Sequence, residues 1–275
     1  PTPGQAGKEP FVIPVSLGLV GAASGAALPL QVQGSSVAGA DSHLFVLTEA
    51  SQSLTFTGVA EEPVPSILRG FSAPVVLDFD YSDAQLLTLL ANDPDPFNRW
   101  EAGQRLALRS AINSIAAGAD TTGATPLNDA YIDAMRAVLR HPTLDAAFKE
   151  LVLTLPSETY IAEQLDVVDP QRIHAVREAM RLQLATALQA DWEWAFEVHK
   201  DNGAYRPDPV SSGRRALAGM ALSFLCLAAV QSTASTGSGQ ADVWPGKTLQ
   251  RFKDAGNMTD RFNALSALVG SGNAL

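Results

Sequence analysis

A single cysteine stands in the chain, so no internal disulfide can brace it, and Cys226 is expected to be a small buried hydrophobe. That fits a reducing, cytoplasmic setting. Positive charge is scarce: 19 Lys and Arg against 29 Asp and Glu leave a net charge of −10, which argues against a phosphate-binding surface and so against nucleic acid as a partner. Long apolar runs are missing too. The most lipid-like, Ala216 to Val230, is interrupted by Ser223 and falls short of the roughly 20 residues that span a bilayer, so it reads as a buried helix and no membrane partner is expected. The opening PTPGQAGKEP has neither the basic nor the apolar segment of a signal peptide and reads as a Pro/Gly linker. A start at Pro rather than Met reads as an excised piece of a longer chain.

Catalytic signatures are absent as well. No G-x-S-x-G elbow marks a serine nucleophile, and no glycine spacing matches a Rossmann or phosphate-cradling loop. What is present is enough apolar sequence to fold: hydrophobic residues make up 46% and charged ones 17%, outside the range of disordered chains.

The periodicity changes once. Before Tyr81 apolar residues alternate, and after Ser82 they recur at three and four, which divides the chain into a β module over 1–81 and an α module over 82–275. In the first, Phe11, Ile13, Val15, Leu17 and Leu19 mark a strand, with Pro14 confining it to an edge or a bulge. Leu28, Leu30 and Val32 return as its hairpin partner, and HLFVLTEA, QSLTFTGV and Val75 to Asp80 supply further strands of a small antiparallel, Ig-like sandwich. Glu61, Glu62, Asp78 and Asp80 offer carboxylates, but Asp78 and Asp80 share the face opposite Leu77 and Phe79, which reads as a solvated face and not as an acid/base pair.

In the second module Ser82 and Asp83 start a helix that ends at Asn92 to Pro94, and Asp95-Pro96 starts the next, with Phe97, Trp100, Ala107, Leu108, Ala111, Ile112 and Ile115 as its stripe. Arg99 and Glu101 are candidates for gripping a substrate terminus; the ordinary expectation is an outer helix face, where Glu101 pairs with Arg105. Thr125-Pro126 starts a helix through Tyr131 and Val138; Leu144, Phe148, Leu151 and Val152 mark another; Ser157 caps a third. Asp169-Pro170 begins the longest, Ile173 to Trp192, and Pro207 to Gln231 is nearly all apolar. Gln231 to Gln240 is a polar connector. Gly256-Asn257 stops a helix, and Thr259 caps a final one whose stripe, Phe262, Leu265, Leu268 and Val269, wants a partner. Short loops between successive helices without a fixed repeat imply an irregular α-solenoid.

The run PVPSILRGFSAPVVLDFDYSD, followed by DPFNRWEAGQRLAL, resembles the bridge between the third and fourth domains of bacterial aminopeptidase N, a gluzincin zinc aminopeptidase. PFVIPVSLGL, LTLPSETYIAEQLDVVDPQRIHAVREAM and NMTDRFNALSALV match it in the same order. The resemblance implies a β-sandwich domain plus the first part of a truncated helical domain, severed from the catalytic domain. In such an enzyme these parts wall the peptide chamber and control access. The implied partners are the catalytic domain, the remaining C-terminal helices and the peptide substrates of the parent.

A gluzincin holds zinc with H-E-x-x-H and a downstream Glu. His43, His141, His174 and His199 are too scattered for that, and His174 with Glu178 is only two ligands on one helix face. The G-A-M-E-N stretch of the family is also missing. No catalytic, cofactor-binding or metal residue is therefore assigned in 1–275, and zinc belongs to the parent enzyme. The competing reading is a non-catalytic protein or peptide interaction module built on the α-solenoid.

Overall fold

The computed structural model describes every residue except 1, 2, 6, 36, 37, 119–124, 202, 237–242 and 273–275, and leaves the side chains of 38 and 231–236 undescribed. It separates into two compact units, Pro1–Gly103 and Gln104–Leu275.

The first unit is organised on strand β1, Ile13–Gly21. Leu17 lies opposite both His43 of β5 (His43–Leu47) and Ile67 of β6 (Pro63–Ile67), so those strands flank β1 on opposite edges. Leu19 lies opposite Leu28 of β2 (Ala27–Leu28) and Pro65, which puts β2 beyond the end of β5 on the same edge. Pro14 pairs only with Val46, so its missing N–H faces no ladder, as a proline strand position demands. The expected return strand is broken at Pro29: β2 stays with β1, while β3 (Leu30–Gln31) joins β4 (Ala38–Ala40) in a second small sheet. Val15 packs with Leu68 and Ala73, and Leu19 with Leu28 and Leu30, on the alternating apolar face.

Two further strand expectations change, and one strand appears that the sequence reading did not include. QSLTFTGV forms a single bridge, Val32 to Phe56, with Gln33 N donating to Thr55 O and Thr57 N to Gln31 O. Val75 to Asp80 lies outside both sheets, although Asp78 and Asp80 are exposed as their alternation suggests. β6 was hidden by Pro63 and Pro65, yet those prolines sit on a strand that pairs with β1 alone among the described strands.

Two helices follow within and out of this unit. Helix α1, Asp83–Asn92, opens with a capping box in which Gln85 N donates to Ser82 Oγ and Ser82 N to Gln85 Oε1. Tyr81 donates its hydroxyl to Pro65 O at 2.7 Å, tying the start of α1 to β6. Helix α2, Pro96–Ala116, starts where Asn98 N donates to Asp95 Oδ1, the cap expected for Asp95-Pro96.

The second unit is a stack around one central helix. Its elements are α3 (Asp129–Arg140), α4 (Ala146–Leu153), α5 (Glu158–Ala162), α6 (Pro170–Ala187), α7 (Gln189–His199), α8 (Pro209–Thr236), α9 (Val243–Asp254) and α10 (Met258–Gly270). Helix α8 packs against α4, α6, α7, α9 and α10, and Leu217, Leu222, Leu225 and Cys226 are buried along it. By length and composition α8 could cross a bilayer; here 61% of its apolar window is buried inside the protein, which is the position of a core helix.

Local caps set most helix starts: Asn128, Asp145, Ser157, Asp169 and Asn257 each accept a backbone N–H from the first turn. Thr125-Pro126 therefore lies ahead of α3, whose cap is Asn128, and Asn257 rather than Thr259 caps α10. The expected helix from Asp169 to Trp192 breaks at Leu188, with φ −110° and ψ 20°, into α6 and α7, although Ile173, Val176, Met180, Leu184, Leu188 and Trp192 are all buried as one side. Of the expected polar connector, 231–236 is helical and 237–240 lies outside the described residues. In α4 the buried pattern shifts to Lys149, Val152 and Leu153, leaving Leu151 exposed. In α10 Ala264, Ala267 and Leu268 face inward while Phe262 and Val269 stay exposed.

Candidate functional site

Charge is buried in both units, and grooves open in the second. In the first unit the chain between β6 and α2 makes a polar latch. Leu68 and Phe71 carry φ of 63° and 53°, a left-handed backbone that non-glycine residues rarely adopt. That turn presents Arg69 inward, where Nε donates to Ser66 Oγ, Nη1 to Asp41 O and Ser42 Oγ, and Nη2 reaches Asp93 Oδ1 at 3.5 Å. Asp93 Oδ1 also accepts from Asp95 N, and Asp95 Oδ2 from Gly70 N at 2.7 Å.

Arg99 is the largest departure from expectation in this region. It is buried, not on an outer face, and its Nε and Nη2 both donate to Asp93 O. The reason is tertiary: the preceding turn folds its carbonyl back onto the helix. Burial pushes the Asp93 carboxyl up despite Ser66, Asp95 and Arg69, and burial pulls Arg99 down. Arg69, Ser66, Asp93, Asp95 and Arg99 bond to one another through this turn, which is the chemistry of an internal brace. Glu61 is a turn clamp, accepting from Ala23 N, Ser24 N and Ser24 Oγ, which holds its carboxyl below the usual range.

In the second unit cations gather on Trp194. Arg140 stacks over its ring at 4.2 Å, Lys149 stands 5.9 Å from it, and His199 meets it edge-on. Asp191 accepts from Arg136 Nε and Arg140 Nε. Lys149 is buried, and desolvation lowers its pKa against the pull of Asp145. His199 is lowered by burial, then by Lys149 and Arg214, so its ring is neutral near pH 7.

The histidines expected to be scattered are scattered. His43 sits on β5 against Phe56, His141 ends α3, and His174 Nδ1 lies 2.8 Å from Glu158 Oε1. Glu178, the companion considered for His174, instead binds Arg181 through both oxygens. Among the described residues no group of three or more His, Cys, Asp or Glu is placed to hold a metal ion.

Both grooves lie in the second unit. One, of about 660 Å³, runs between the end of α7 and the α9–α10 corner, where Glu197 pairs with Lys200 and Arg251 with Asp260. The other is a slot of about 340 Å³ over α8, with Leu153, Leu155, Met220 and Phe224 among its apolar walls and Glu150, Arg177 and Arg181 as its charges. Sequence reasoning missed this slot because its residues come from separate helices and share no motif.

An Ig-like sheet unit followed by a helical repeat unit is the class that this architecture defines. The family models state it directly: residues 1–80 match a domain of unknown function, DUF3458, with an Ig-like fold, and residues 83–275 match DUF3458_C, described as ARM repeats. The chain belongs to this family. It is 36% identical over 268 residues to aminopeptidase N of Escherichia coli (strain K12), covering 98% of this chain and 29% of that protein. Aminopeptidase N of Caulobacter vibrioides is 35% identical over 233 residues, covering 84% of this chain and 25% of the relative. Aminopeptidase A of Legionella pneumophila, solved in complex with aspartic acid, superposes with a TM-score of 0.69 at 24% identity over 94% of this chain and 28% of that one, a likeness of fold. The chain thus spans under a third of the length of these relatives.

Proposed function

We propose that this chain is the non-catalytic structural part of a zinc-dependent aminopeptidase N, a cytoplasmic gluzincin that removes amino-terminal residues from peptides. Its two units wall the catalytic chamber and control access, with the catalytic domain and further helices of the same parent as partners. The observation that carries this reading is the match over 98% of the chain to only 29% of the Escherichia coli aminopeptidase N.

The test compares the parent protein, the parent lacking this region, and the 275-residue chain. Zinc and hydrolysis of an aminoacyl p-nitroanilide are expected in the parent and not in the chain. Discrimination between short and long peptides is expected to vanish when the region is removed. Stoichiometric zinc in the chain alone, or unchanged discrimination without it, would overturn the reading.

A further inference from the structure

We propose that the slot over α8 binds a free zwitterionic α-amino acid with an apolar side chain. Helices α4 and α6 both pack on α8, and the slot lies over α8 with Gly219 and Met220 among its lining. One wall, from α4, carries Glu150; the other, from α6, carries Arg177 and Arg181.

The charges on the two walls are uncompensated in opposite senses. On α6 the two arginines face one carboxylate: Glu178 takes both bonds from Arg181 Nη1 and lies 3.7 Å from Arg177 Nη1, while Arg177 Nε donates to Pro156 O. That leaves one positive charge in excess. On α4, Glu150 makes no side-chain hydrogen bond or ion pair among the described residues, and burial raises its carboxyl. An ammonium supplies what Glu150 lacks, and a carboxylate what the arginine pair lacks. Leu155 and Met220 then offer an apolar surface to the side chain. At about 340 Å³ the slot is near the small end of ligand sites, which run from roughly 300 to 1,000 Å³, so it suits one residue better than a peptide.

The ligand class follows from these walls and stands apart from the proposed function, although a free amino acid is also what an aminopeptidase releases. The test is titration of the ¹⁵N-labelled 275-residue chain with L-leucine, followed by NMR. Saturable shifts are expected at amides around Glu150, Gly219 and Met220, with a Kd on the order of 1–10 mM for so small a ligand. Leucinamide and N-acetyl-leucine, each lacking one charge, are expected to bind at least about tenfold more weakly. E150Q is expected to keep the native spectrum, since it removes a desolvated charge, and to weaken L-leucine binding by a similar factor; R181Q serves as the check on the opposite wall. No saturable shift up to about 50 mM, shifts centred elsewhere, or equal response to the three ligands would overturn the proposal. Zinc content and peptidase activity play no part in this readout, so its failure is distinct from failure of the proposed function.

Discussion

The guanidinium of Arg69 lies directly on Gly18: a Cβ built at Gly18 would stand 2.1 Å from Arg69 Cζ. The central strand thus tolerates no side chain at the point where the buried arginine crosses it. Gly18→Ala is expected to cost about 2–4 kcal/mol, because Arg69 can move only by giving up its bonds to Ser66, Asp41, Ser42 and Asp93. Urea denaturation measures it. In an R69M background the same change is expected to cost under about 1 kcal/mol, and equal costs in both backgrounds would refute the coupling.

Gly213 poses the same question between helices. In an exposed helix Gly→Ala gains about 1 kcal/mol. At Gly213 the added Cβ would meet the backbone N of Ala147 at 2.8 Å, where α4 and α8 touch. Backbone cannot swing aside, so Gly213→Ala is expected to destabilise by about 1–3 kcal/mol. A rise in Tm would show that the two helices separate freely.

Ser82 caps α1 through a reciprocal pair with Gln85. Ser82→Ala is expected to lower stability by about 1 kcal/mol and Ser82→Asp by much less, read from the urea midpoint at constant slope.

His199 gives a pH dependence of known sign. Its folded pKa lies below the ordinary 6.5, because burial, Lys149 on α4 and Arg214 on α8 all disfavour the imidazolium. The unfolded chain then takes up a proton first as pH falls. Stability from this group is complete above about pH 6.5 and is lost as pH drops through the folded pKa. The ring proton signals of His199 are expected to titrate below the ordinary 6.5, and H199Q is expected to flatten the stability profile between pH 5 and 7. A ring that titrates above 6.5 would contradict the cation cluster.

Cys226 is buried, its Sγ lies 3.2 Å from Thr248 Oγ1, and burial pushes its thiol up. Ellman's reagent at pH 8 is expected to leave it unmodified in the native protein for hours and to modify it within minutes in denaturant. Fast native labelling would place it at the surface.

What was legible in the sequence was local. The caps at Ser82, Asp95, Ser157 and Asp169 were read correctly because each cap and the N–H it accepts lie within three residues. Arg99, Lys149 and the break at Leu188 were not readable that way. Arg99 is buried because a folded-back carbonyl receives it, and Lys149 because Trp194 comes from another helix. No Gly or Pro announces the break at Leu188. Val75 to Asp80 has the alternation of a strand, but alternation records only two faces, not whether a neighbouring chain arrives to pair with them. The slot over α8 draws on α4, α6, α8 and α10, so no window of sequence contains it.

The central position of α8 has a consequence for how the second unit is made. Helices α4, α6 and α7 all find their main packing surface on a segment that leaves the ribosome after them. At ordinary elongation speeds the stretch from Gln104 to Thr236 takes roughly ten to twenty seconds to synthesise. During that interval the earlier helices present sticky faces with no scaffold, the situation in which nascent chains are most prone to aggregate, until the organising segment emerges.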